Sequence, residues 1–257
     1  MCRTLPTLGG IAARPPASLR GRPVSVDDMA ADPVVFDIGN VLVRWDPVPA
    51  VAASVGDERA MAFLGDPAFD FLAWNHLQDE GRPWEEAERV ARGAFPHYAD
   101  EIAAYRVNFE ASLVGEIDGS VAIVHELRDA GVPLVALTNW SAELFGHARA
   151  RFEVLKAFDD IVVSGEEGCA KPDPRIFEVL AERLGRPLDG VVFTDDSPRN
   201  ILAAGVACGS GPWLFGAVGP AQPDQAVLAK AGVAVQAPSS AEGAAVADTC
   251  PVAPLQL

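Results

Sequence analysis

Four short apolar runs do most to limit what this chain can fold into: 34–36 (VVF), 133–137 (PLVAL), 161–163 (IVV) and 191–193 (VVF). Each is too short for a helix, lacks the alternation of a one-faced strand and is bounded by turn residues, the pattern of a strand buried on both faces. Helical patterns separate three of them. The stretch 117–130 places Val121, Val124 and Leu127 on one face and stops at Gly131, a C-cap residue. Ser141 is the expected cap of a helix through Leu144, Phe145, Ala148 and Phe152. Asp173-Pro174 opens a helix through Ile176, Phe177, Leu180 and Leu184 that ends at Gly185, and Ser197-Pro198 repeats the device before Ile201 and Ala204. Strand and helix in alternation predict an α/β fold with a parallel sheet and helices on both faces.

One stretch breaks the alternation. From 48 to 116 no strong strand is legible, while Phe63, Phe69, Phe71, Trp74, Leu77, Ile102, Tyr105 and Phe109 recur among charges at helical spacing. This predicts a small α-helical insertion directly after the first strand. The expected organisation is a disordered leader over 1–32, an α/β core over 33–47 and 117–217, a helical cap over 48–116, and a segment of doubtful order over 218–257. The leader holds Arg3, Arg14, Arg20 and Arg22 with no acid before Asp27; an over-extended start accounts for it better than a transit peptide. Past Gly209 the text turns to Ala, Gly, Pro and Val, with a short strand at 213–215 the one element expected there.

Composition removes several function classes. A formal charge of -16 with no basic stripe repels a phosphate backbone, which excludes nucleic acid as a partner. Cys2, Cys169, Cys208 and Cys250 lack zinc or disulfide spacing and suit a reducing cytoplasm. No apolar run approaches the roughly 18 residues of a membrane span.

Each strand ends in chemistry: Asp37, then Thr138 and Asn139, then Ser164, then Asp195 and Asp196. Parallel strands share a carboxyl edge, and ligands bind in the crevice beyond it. An insertion leaving that edge is placed to cover the crevice. Three carboxylates gathered in a dry pocket repel unless a cation joins them, and Mg²⁺ takes one or two carboxylates plus phosphate oxygens. Lys171 adds a point positive charge suited to hold a phosphate and to restrain Asp37, and the Thr138 hydroxyl and Asn139 backbone N–H are donors suited to phosphate oxygens. Such a set suits phosphoryl transfer.

The motifs FDIGNVL, LTNW, AKPDP and TDDSPRN, in this order, resemble the haloacid dehalogenase (HAD) superfamily, in particular its phosphatase-like members with a helical cap after the first motif. The resemblance spans 33–205. It implies a Rossmann-like core and a Mg²⁺-dependent phosphatase acting on a small phosphorylated metabolite, such as a sugar phosphate. Asp37 would be the nucleophile that forms an aspartyl-phosphate, and the Gly39 carbonyl a metal ligand. Thr138 and Asn139 would bind the phosphate, Lys171 would orient nucleophile and phosphate, and Asp196 and Asp195 would serve the metal.

One departure stands out. Most phosphatases of the family carry a general acid two residues after the nucleophile, where this chain has Gly39. The proton donor is then unassigned, with Asp46 a nearby alternative. Since general acid catalysis contributes about 10²- to 10⁴-fold, a preference for activated leaving groups is expected. Two other readings compete: a metal-free 2-haloacid dehalogenase, which the Asp195-Asp196 pair disfavours, and a catalytically weak relative that binds a ligand. The histidines show no metal-ligand spacing, and Trp74 and Trp84 read as core.

Overall fold

The computed structural model describes residues 32–207. The expected leader, the strand at 213–215 and the segment 218–257 lie outside the described residues. In chain order the elements are β1 (Val34–Phe36), β2 (Val43–Trp45), α1 (Pro47–Val55), α2 (Asp57–Leu64), α3 (Phe71–Asp79), α4 (Trp84–Ala94) and α5 (Ala99–Val107). They continue with β3 (Leu113–Glu116), α6 (Asp118–Asp129), β4 (Leu134–Thr138), α7 (Phe145–Arg151) and β5 (Asp160–Val163). The last are α8 (Ser164–Glu167), α9 (Pro174–Leu184), β6 (Val192–Thr194) and α10 (Pro198–Ala207).

Four strands form one parallel sheet in the order β5-β4-β1-β6. Alternation along β1 sends Val34 and Phe36 to one face and Val35 to the other, and each face has its own core. Ile123, Val124 and Leu127 of α6 share the first core with the inserted helices. Ile176, Phe177 and Leu180 of α9 and Ile201 and Ala204 of α10 cover the second. Helices thus flank both faces, as the strand-helix alternation predicts. Asp173 caps α9 by accepting the Arg175 N–H (2.8 Å), Pro174 fills its first turn, and Gly185 ends it in the left-handed region.

Two expectations need correction. The region 48–116 is not free of strand: β3 pairs antiparallel with β2, and this ribbon frames the five inserted helices. Its short strands and the glycine at 115 leave no periodicity to detect. Nor does Ser141 cap a helix. The helix starts at Phe145, and the Ser141 hydroxyl instead accepts the indole N–H of Trp84 (2.8 Å), a tie between insertion and core.

Candidate active site

The carboxyl edge of the sheet collects the polar strand ends. Asp37 follows β1, Thr138 ends β4, Lys171 lies in the loop before α9, and Asp195 and Asp196 follow β6. Asp37 is placed by its own backbone, whose N–H donates to the Thr194 carbonyl at 2.9 Å. Its Oδ1 accepts the Ile38 N–H (2.7 Å) and lies 3.1 Å from Lys171 Nζ.

Lys171 is fully buried, and its ammonium meets three oxygens: Leu137 O at 2.7 Å, Asp195 Oδ2 at 2.7 Å and Asp37 Oδ1 at 3.1 Å. An ammonium has three donors, so none is left for a ligand. Its hold on the site is through Asp37. Burial alone would lower its pKa, but the charges of Asp37 and Asp195 outweigh this and hold it above the ordinary lysine value.

Asp195 is equally committed. Its Oδ2 accepts a hydrogen bond from Lys171 Nζ, and its Oδ1 accepts from the Ser197 N–H (2.8 Å) and Asn200 Nδ2 (2.9 Å). Asp196 is more open and lines the cavity beside Gly39, Asn40 and Asn200. Asn40 sits at φ +53, and its Oδ1 accepts the Trp45 N–H (3.0 Å), closing the turn that leads into β2. The Asn139 side chain clamps the Lys171 loop, accepting its N–H and donating to its carbonyl, both at 2.8 Å. The Thr138 hydroxyl is buried with no protein partner. Asp46 is elsewhere engaged: it caps α1 by accepting the Val48 N–H (2.9 Å).

The electrostatics are unbalanced. Asp37, Asp195 and Asp196 each offer an oxygen within 4.8 Å of the others, against one lysine. Burial, with the charges of Asp195 and Asp196 added and Lys171 opposing, pushes Asp37 up to about 7. Burial and Asp195 also raise Asp196. A hard divalent cation relieves both, and the all-oxygen donor set fits Mg²⁺.

Above this edge lies a cavity of about 180 Å³. Trp45, Trp84, Tyr105 and Phe109 contribute to its wall from the ribbon and insertion, and Trp140 and Ser141 from the core. Trp84 is therefore both core and cavity wall. Sequence reasoning missed Asp79, the last residue of α3, which also lines the cavity. Burial, opposed by a hydrogen bond from the Ser141 backbone and reinforced by the charges of Asp37 and Glu80, pushes it up to about 8. The one signal available was Asn75 four residues earlier on the same helical face, and Asn75 Nδ2 does donate to Asp79 Oδ2 (3.2 Å).

Fold and site together define an α/β protein with an acid-lysine cluster at the carboxyl edge of a parallel sheet, beneath inserted helices. A family model described as haloacid dehalogenase-like hydrolase matches residues 32–207, and the chain belongs to that family. It is 28% identical over 137 residues to validoxylamine A 7'-phosphate phosphatase of Streptomyces hygroscopicus subsp. limoneus, covering 50% of this chain and 64% of that protein. It is 26% identical over 203 residues to phosphoglycolate phosphatase of Shigella boydii, covering 68% of this chain and 77% of that protein. The chain thus spans somewhat under two thirds of the first relative and about three quarters of the second. A HAD family enzyme from Bacteroides thetaiotaomicron, solved with magnesium and inorganic phosphate, superposes with a TM-score of 0.55 at 20% identity, over 72% of this chain and 93% of that one. At that identity the likeness is one of fold.

Proposed function

We propose that the chain is a Mg²⁺-dependent phosphatase that hydrolyses a small phosphorylated metabolite through an aspartyl-phosphate on Asp37. The observation that carries this is the convergence of three carboxylates, two of them paired with one saturated lysine, at the floor of a half-open cavity. The phosphatase relatives support the reaction class.

Lys171 holds Asp37 in place and opposes the burial that would protonate it, keeping an oxygen available for attack on phosphorus. Asp37, Asp196 and the Gly39 carbonyl would hold Mg²⁺, with Asp195 acting behind them through Lys171 and Asn200. When bound, the cation neutralises the carboxylates and the phosphate charge. The Thr138 hydroxyl and the Asn139 backbone N–H bind phosphate oxygens in this reading; the unpartnered Thr138 Oγ1 supports it. The inserted helices serve as a cap. Aromatic walls with Asn75 and Ser141 among them suit a ringed, hydroxyl-bearing leaving group such as a sugar. The cysteine usage suits a cytoplasmic site of action.

The test is hydrolysis of p-nitrophenyl phosphate by the purified chain with Mg²⁺. Activity is expected to vanish with EDTA and to fall at least about 10³-fold in Asp37→Asn, as for loss of a covalent nucleophile. Turnover that survives either change overturns the reading.

A further inference from the structure

We infer that Asp79, contributed by the insertion, is the general acid that protonates the leaving oxygen of the substrate, the role left open by Gly39. The inference rests on the phosphatase reading above.

Three observations converge on it. First, the loop after β1 carries no acid beyond Asp37 to protonate the leaving group. A Cβ built on Gly39 meets nothing within 4 Å, so the position where relatives carry the acid faces open space. Second, in-line transfer puts the leaving oxygen on the side of phosphorus away from Asp37, toward the insertion. Asp79 is the acid of the inserted helices that lines the cavity, and it stands near enough to Asp37 to feel its charge. Third, its carboxyl is fixed. Asn75 Nδ2 donates to it and the Ser141 backbone hydrogen-bonds it, while the Asp79 main-chain carbonyl, accepting the Ser164 hydroxyl at 2.6 Å, anchors the backbone that carries it.

The surroundings keep Asp79 neutral. It is partly buried at the C-terminal end of α3, where the helix dipole disfavours a negative charge. The ionisable groups felt there or facing it are Asp37, Glu80 and Tyr105, none of them a cation among the described residues. A neutral carboxyl at pH 7 is what a general acid requires.

The step balances. As Asp37 Oδ bonds to phosphorus, the P–O bond to the leaving group breaks with its electron pair on that oxygen, which takes the Asp79 proton and departs as an alcohol. Asp79, now a carboxylate, then removes a proton from the water that attacks the aspartyl-phosphate. Phosphate leaves, and both carboxyl groups return to their starting state.

The experiment compares p-nitrophenyl phosphate, whose leaving group needs no proton at neutral pH, with benzyl phosphate, whose alkoxide does. With Mg²⁺ present, Asp79→Asn is expected to lower kcat/KM for benzyl phosphate by about 10²- to 10⁴-fold and for p-nitrophenyl phosphate by less than about fivefold. In the parent chain the preference for activated leaving groups should then be weak, and the variant should recover it. An equal fall for both esters, or none for benzyl phosphate, overturns the inference while leaving the phosphatase reading intact. Loss of the phosphatase reading shows separately, as turnover that persists in Asp37→Asn. Carbon-13 NMR of labelled aspartate provides a readout without turnover. An Asp79 carboxyl that is protonated at pH 7 supports the role, and one already ionised at pH 6 overturns it. Asp79→Ser, smaller and neutral, must show the same selective loss if the asparagine variant folds poorly.

Discussion

Lys171 illustrates how single residues here are legible or hidden. In sequence it is a lysine before a proline; in the structure its three protons go to three oxygens, two of them carboxylate. Lys171→Ala would strand two buried acids and is expected to cost about 3–5 kcal/mol, read by urea unfolding, since breaking a buried pair leaves an uncompensated charge. Asp37, Thr138, Asp195 and Asp196 could be found because each ends or follows an apolar strand, where a polar residue is conspicuous, and Lys171 through its place among the four motifs. Asp79 could not, because it sits in QDEG at the end of an amphipathic helix, where acids are commonplace. Its raised pKa also makes a stability claim. The folded state keeps a proton that the unfolded chain releases near pH 4, so this group makes unfolding easier as pH rises from about 4 to about 8. Asp66 and Asp159, held low by their hydrogen bonds, act in the opposite sense, adding stability that is lost as pH falls. In EDTA, the Tm of Asp79→Asn relative to the parent chain is expected to rise between pH 5 and pH 8. A constant difference would show that Asp79 is ionised throughout.

At the scale of elements, the four parallel strands and the helices that open on Asp173-Pro174 and Ser197-Pro198 were readable, because burial on both faces and proline in a first turn leave strong local marks. The β2–β3 ribbon was not, since its pairing joins residues far apart in sequence and its stability comes from what it packs against. Contacts of this long-range kind also set the loop after β4. Gly165 of α8 approaches it so closely that an added Cβ would lie 2.8 Å from Trp140 O and closer still to Ala142 N. Both neighbours are backbone, so the loop itself must move. Gly165→Ala is expected to destabilise by about 1–3 kcal/mol. It should also weaken turnover, because Trp140 and Ser141 wall the cavity. Full activity in a stable Gly165→Ala chain would show that the approach carries no constraint.

Across the whole molecule, the first hydrophobic core is shared, with Val34 and Phe36 of the sheet packed in the same cluster as Phe63, Trp84 and Tyr105 of the insertion. Sheet and insertion should therefore unfold together. The chain carries a formal charge of -16, and the acid cluster adds local repulsion to that general excess. Millimolar Mg²⁺ is expected to raise Tm beyond what NaCl of equal ionic strength achieves, with about 2.7 kcal/mol gained at a hundredfold excess over Kd. Asp196→Asn should remove the difference; an identical response to both salts would mean no specific site. The β2–β3 ribbon has a wider implication. The polypeptide leaves and rejoins the framework through this one paired ribbon, so the passage between Trp45 and Leu113 supplies no residue to the register of β1 with β4 and β6. Because Asn75, Asp79, Trp84 and Tyr105 all lie in that passage, exchanging it would replace most of the cavity roof and the inferred proton donor at one stroke, whereas Asp37, Lys171, Asp195 and Asp196 belong to the framework.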